Sequence, residues 1–146
     1  MAWGSTAPAA LAGLVATLQA GMETQVIDSA VVSDAAGSEV VNVGWQTEDQ
    51  PAVEATLEPE TQAADREQYT INNAVRVLNA RDIVAARARA FVLFGQVGTL
   101  IKADRTLGGA VMLARVSSWS FEPQQGSGGA LATILFSVDC DAWTTE

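Results

Sequence analysis

Apolar residues recur at helical spacing in two segments of this chain and at alternate positions in several others. Leu11, Leu14, Val15 and Leu18 stand at i, i+3, i+4 and i+7, one stripe of an amphipathic helix. Thr6 is placed to cap its start, Pro8 falls in the first turn and Gly21 suits its C-terminal stop. A second helix is expected from an Asp82 N-cap, with Ile83, Val84, Phe91, Phe94, Val97 and Ile101 on its apolar side. Arg87, Arg89, Gln96 and Lys102 fall largely elsewhere on it, and it should end before Gly108-Gly109. Gly95 and Gly98 each cost about 1 kcal/mol against alanine inside a helix. Close packing on a sheet or on the first helix would account for them.

Strand patterns fill most of the remainder. Gln25–Asp28 and Glu39–Trp45 are short β-rich runs separated by the turn-rich residues 33–38. Residues 46–68 hold Pro51, Pro59 and seven acids, and predict a long polar excursion with one edge strand at Val53–Leu57. In the next run Tyr69, Ile71, Val75 and Val77 share one face, interrupted by Asn73, with Arg76 on the other. Ala110–Ser118 leads through Trp119, Phe121 and a Gly-rich loop at 124–129 into a last strand, Ala130–Trp143. There Ala132, Ile134, Phe136, Val138, Cys140 and Ala142 alternate with Thr133, Ser137, Asp139 and Asp141, which describes a sheet with one covered and one wetter face. The expected fold is α+β over a single domain, 1–146. A mostly antiparallel or mixed sheet carries two helices on one face and ends in a long β-hairpin.

Charge adds an asymmetry. The chain has 17 acids, 8 bases, no histidine and one cysteine, for a net charge of −9. Residues 1–65 contain ten of the acids and no base. One acidic and one mixed face could meet head to tail between copies, and such a contact closes into a ring if the rotation allows. Arg87 and Arg89 are the first candidates on one side of that contact, and Asp34 and Glu39 on the other. The alternative is a solvated acidic surface that keeps the protein soluble. A basic reader of nucleic acid is disfavoured, since affinity for phosphate comes mostly from Lys and Arg. The first residues lack the positive stretch of a secretory signal, and no run reaches the roughly 18 apolar residues of a membrane span.

Catalytic chemistry is not suggested. Imidazole-based devices and Cys/His zinc sites are excluded by composition. Gly126-Ser127-Gly128-Gly129 lacks the lysine of a phosphate-binding loop and is expected to turn a hairpin. Asp139 and Asp141, two apart on one strand face, could do acid–base work or hold Ca²⁺, but solvated charge is the simpler reading. No catalytic, cofactor or metal-binding residue is assigned, and Cys140 is expected as a buried, inert thiol.

Ala85-Ala86-Arg87-Ala88-Arg89-Ala90-Phe91, and then Leu100 through Asp104-Arg105-Thr106-Leu107-Gly108-Gly109 to Ala114, resemble the tail terminator proteins of long-tailed phages, particularly those of actinobacterial phages. The final strand and the opening order of helix and short strands fit as well. The resemblance implies a virion structural protein that forms a hexameric ring on the end of the tail tube, stops tube polymerisation and joins the tail to a neck or head-completion protein. Genomic DNA would pass through that ring without specific binding, and a net negative subunit suits such passage. It further implies no enzyme activity, no cofactor and no membrane, with assembly in the host cytoplasm. A head-completion or stopper protein of the neck and a soluble ligand-binding domain are the alternatives.

Overall fold

The structure, a computed structural model, describes residues 3–28, 38–59, 64–79, 81–126 and 128–145. Two helices, α1 (Ala7–Gly21) and α2 (Ile83–Ala103), pack on one face of a six-stranded mixed sheet. Its strands are β1 (Gln25–Asp28), β2 (Glu39–Val43), β3 (Val53–Pro59), β4 (Asp65–Asn79), β5 (Leu113–Gly126) and β6 (Gly129–Trp143). The expected α+β class, the helices on one side and the C-terminal hairpin are all present.

β4 is the centre of the sheet. One side of it pairs with β6 along nearly its whole length. Its other side is shared, with β2 along residues 73–77 and β3 along residues 65–71, both antiparallel. β1 adds to β2 in parallel, and β5 pairs with β6 through a bulge between Val116 and Ser118. Because cross-strand partners share a face, the register sorts the side chains. Tyr69, Ile71, Val75 and Val77 of β4 meet Cys140, Val138, Ile134 and Ala132 of β6 beneath the helices. Thr70, Asn72 and Arg76 meet Asp139, Ser137 and Thr133 on the helix-free face.

Asn73 interrupts the apolar row and is buried, yet every polar atom is used. Its Nδ2 donates to the carbonyls of Ile71 (3.0 Å) and Phe136 (3.4 Å), and its Oδ1 accepts from the Gly44 amide (3.2 Å). It anchors the point where the chain leaves β2, and Gly44 takes the left-handed φ of +76° that this departure needs. The polar excursion expected at 46–68 is much shorter than that range, because it contains β3 and the first residues of β4. The two strands pair antiparallel, with Pro59 opposite Asp65.

Thr6 occupies the N-cap position of α1, but its side chain does not cap the helix. Its Oγ1 and its backbone amide instead donate to one oxygen of Glu67, at 2.5 and 2.6 Å, while Ser5 Oγ donates to the other at 2.9 Å. Glu67 lies on the helix side of β4 and is only 1% exposed. The cap therefore comes from a strand 61 residues away in sequence. In α2 the expected Asp82 cap is present, its carboxylate accepting from Val84 N at 2.9 Å.

The buried stripe of α2 differs from expectation. Ala86, Ala90, Leu93, Val97 and Ile101 face the sheet, whereas Val84 and Phe91 are exposed. Alanines at 86 and 90 let the helix sit close to the sheet, and the larger side chains are displaced to its flanks. Gly95 and Gly98 are likewise not explained by close packing, since nothing lies within 4 Å of a Cβ at either. Tight approach occurs at Gly13, where a Cβ would stand 2.2 Å from the Leu107 carbonyl oxygen.

Leu107 belongs to the turn that follows α2. Asp104 Oδ1 accepts from the amide and hydroxyl of Thr106, at 3.0 and 2.6 Å, and Oδ2 from the Gly108 amide at 2.9 Å. These bonds hold the exposed Asp104 carboxyl below its ordinary value. They also support left-handed backbone at Leu107, Gly108 and Gly109 and drive Leu107 into the core against α1.

Replacing Glu67 by alanine would leave the Thr6 amide and two hydroxyls without their acceptor in a buried place. Urea unfolding should show Glu67→Ala destabilised by about 2–3 kcal/mol, with Glu67→Gln losing less because it keeps one acceptor oxygen.

Candidate functional site

The helix-free face of the sheet is a polar lattice. Arg66 of β4 makes a two-point contact with Asp141 of β6, Nε to Oδ1 at 3.1 Å and Nη2 to Oδ2 at 2.7 Å. This hydrogen-bonded guanidinium holds the Asp141 carboxyl below the ordinary aspartate range. Thr70 Oγ1 donates to Asp139 at 2.8 Å. Arg76 lies 4.7 Å from the centre of the Trp45 ring and donates from Nε to Asn42. A cleft of about 610 Å³ opens on this face between Glu54, Thr56, Thr70, Arg115, Asp139 and Asp141. Asp141 is engaged by Arg66 and Asp139 by Thr70, so the pair weighed for acid–base work is held as sheet structure. Among the described residues no group of three His, Cys, Asp or Glu side chains is gathered as a metal would require.

The two margins of the sheet are more distinctive. Outside β2 the sheet ends at β1; β5 is the last strand on the opposite side, and β3 lies outermost beside the lower half of β4. Among the described residues no strand pairs with the outer edge of either. Along β5 the first amide of this edge is already satisfied, since Ala114 N donates to Arg105 O at 2.6 Å from the turn after α2. Beyond that point Arg115 lies on the helix-free side, and Val116, Trp119 and Phe121 on the helix side. β3 has the same division, with Glu54, Thr56 and Glu58 on the helix-free side and Val53, Ala55 and Leu57 on the other. Val53 packs against the core, whereas Ala55 and Leu57 are exposed, Leu57 by 48%.

Beside the β5 edge, α2 adds apolar surface. Phe91 packs edge-on against Trp119 with ring centres 5.4 Å apart, and against Phe121 at 5.6 Å. Trp119 is still 54% exposed, Val84 55% and Val92 52%. This outward face is why α2, contrary to the sequence expectation, is long and apolar enough by composition to cross a membrane. Its other face is docked on the sheet, and Arg87, Arg89 and Lys102 punctuate it.

The four residues singled out from sequence have different positions. Arg89 and Glu39 meet within one chain, Nε to Oε2 at 2.5 Å, joining α2 to β2. Each is therefore already matched before any neighbour arrives. Arg87 is exposed and forms no ion pair among the described residues. Asp34 lies outside the described residues. Val53, Ala55 and Leu57 went unnoticed as surface, although their alternation with Glu54, Thr56 and Glu58 is a strand signature within the polar stretch.

No family model and no curated protein matches this chain.

Two outcomes follow from the titratable groups. The Cys140 thiol lies on the helix side of β6, where burial above all pushes it up to about 12. Thiol reagents at pH 8 should leave the native protein unmodified and label it fully in denaturant. Because Asp141 is depressed by Arg66, its contribution is complete above the ordinary aspartate value near ~4 and fades as pH falls through the lower native value. Asp141→Asn should lower stability by about 0.5–1 kcal/mol at pH 7 and leave it unchanged at strongly acidic pH, read from urea midpoints at both.

Proposed function

We propose that this chain is a ring-forming tail terminator of a long-tailed phage, a structural subunit that caps the tail tube, ends its polymerisation and offers a surface to the neck. The observation that carries the reading, beside the sequence resemblance, is the pair of open sheet margins flanked by exposed apolar side chains. A long edge strand beside a half-exposed tryptophan is an aggregation hazard for a solitary domain and a natural seam for an assembly. The turn at Asp104–Gly109, part of the resemblance, braces α1 through Leu107 and fixes one end of that seam through Arg105 O.

The charge pattern supports DNA passage without capture. On the helix-free face, Arg66 is held by Asp141 and Arg76 by Trp45 and Asn42, which removes both from competition for phosphate. With a net charge of −9 the subunit has little with which to displace counterions from a duplex. The neck-stopper alternative shares these features and differs in its partner. A ligand-binding role would call for an enclosed apolar pocket, whereas the cleft on the helix-free face is open, with Glu54, Arg115, Asp139 and Asp141 among its lining residues.

Light scattering and negative-stain imaging of the purified protein, alone and with the tail tube protein of its phage, test the reading. Six-fold rings, free or seated on tube ends, are the expected outcome. A monomer indifferent to tubes would remove the terminator assignment, and rings that bind a portal-side protein instead would transfer it to the neck.

A further inference from the structure

We infer that a small pocket on the helix-free face, between the loop that follows β2 and the middle of β5, takes one pyranose ring of an uncharged carbohydrate. The site is separate from the open cleft near Arg115 and does not depend on the assembly reading.

The lining selects the ligand class. The pocket measures about 150 Å³, and Trp45, Gln50, Asn72, Ser118, Ser120 and Ser137 are among its lining residues. None of the lining side chains is charged. A phosphate, carboxylate or ammonium would enter without a counter-charge, which is costly away from water. A wholly apolar ligand would strand the hydroxyls and carboxamides. A pyranose meets both demands. Its hydroxyls donate and accept at once, as those side chains do, and its C–H face suits the electron-rich face of an indole.

Both walls are built before a ligand arrives. On one side the loop is tied to β4: Trp45 N donates to Asn72 O at 2.6 Å, Asn72 N to Ala52 O at 2.9 Å and Asn72 Nδ2 to Pro51 O at 2.8 Å. The Arg76 guanidinium, 4.7 Å from the ring centre, steadies the indole. On the other side the β5 bulge decides the outcome. Unbroken alternation from Arg115 would carry Ser118 and Ser120 to the helix side. The extra residue, Ser117, brings them instead opposite Ser137 and Leu135 on the helix-free face. Bulges elsewhere re-aim side chains next to active sites in the same way.

Bonding capacity remains unspent on both walls. Ser137 Oγ donates to Asn72 Oδ1 at 2.7 Å and keeps its own lone pairs as acceptors. The hydroxyls of Ser118 and Ser120 and the side-chain amide of Gln50 form no hydrogen bond among the described residues. Groups mounted on a fixed sheet and a tied loop lose little freedom on binding.

Saturation-transfer difference NMR tests the site. The probes are the methyl glycosides of glucose, galactose, mannose and N-acetylglucosamine, with glycerol, which has hydroxyls but no ring, as the control. At least one glycoside should show saturable transfer, strongest at the C–H groups of one face, and glycerol none. A ligand of about twelve non-hydrogen atoms in a small polar site should bind at millimolar concentration. Ser118→Ala/Ser120→Ala removes hydroxyls that hold nothing in the fold, so binding should weaken by about tenfold or more with thermal unfolding unchanged. Binding of the matching trisaccharide as well identifies a glycan residue as the occupant, and its exclusion identifies a free sugar. If no glycoside gives saturable transfer, if glycerol gives as much, or if the serine variant binds as the wild type does, the assignment is wrong.

Discussion

A buried carboxylate holds the first helix to the central strand, and much of the remaining geometry follows from it. Glu67 is removed from water, so its charge must be balanced by donors, and it takes them from the first turn of α1. That end of a helix is electropositive and carries amides without intrahelical partners, so each group satisfies the other. Thr6 Oγ1 also lies 3.0 Å from the Tyr69 hydroxyl, which burial pushes up to about 12 and keeps neutral. Anchored there, α1 lays Leu14 and Leu18 into the core and presents Gly13 to Leu107. The Leu107 turn in turn carries the Arg105 carbonyl that meets Ala114 and sets where the β5 edge opens. One carboxylate on β4 is thereby linked, through four packed elements, to the far margin of the sheet.

The uncovered margins have an equally local origin. Fourteen residues of β4 pair with β6, but β2 and β3 are each too short to match that length and so divide its other side. α1 lies over β1 and β2, and α2 over β4, β6 and β5. Along β3 only Val53 packs on the core, and Ala55 and Leu57, on the same side of the sheet, are exposed. The same arithmetic leaves Trp119 and Phe91 at the flank of α2, since the alanine stripe seats the helix low and moves its bulk outward.

Much of this fold was legible along the chain because two periods, 2 and 3.6, were written clearly. The alternation of β6 from Ala130 to Ala142, the boundaries of β1, the Asp82 cap and the edge strand near residue 53 all read directly. What did not read was set by distant partners. Thr6 has the residue type and position of a cap, and only the approach of Glu67 redirects its hydroxyl. Glu67 itself sits among seven acids in a polar stretch, where nothing local marks it as the one to be buried. In α2 size overruled hydrophobicity: Val84 and Phe91 are more apolar than Ala86 and Ala90, yet the closeness of the sheet selects the alanines. Arg89 and Glu39, candidates from sequence for a contact between copies, meet within one chain, and sequence has no means of telling an intrachain partner from one on a neighbour.

The chemistry of the margins also bears on which assembly they favour. Pairing two β3 edges about a two-fold axis would bring Glu54 and Glu58 of both copies onto one side of the junction, and like charges opposite one another destabilise a strand pair. Pairing two β5 edges would leave both β3 rows uncovered. A head-to-tail join of unlike edges would avoid both, and because its two surfaces differ it would repeat from copy to copy. Repetition ends in a closed ring or runs on as a filament, according to the rotation at each step. Sheet twist supplies a rotation of fixed hand at every strand. Sheets repeated from subunit to subunit with their helices always on one side would curve consistently, and consistent curvature is what closure requires.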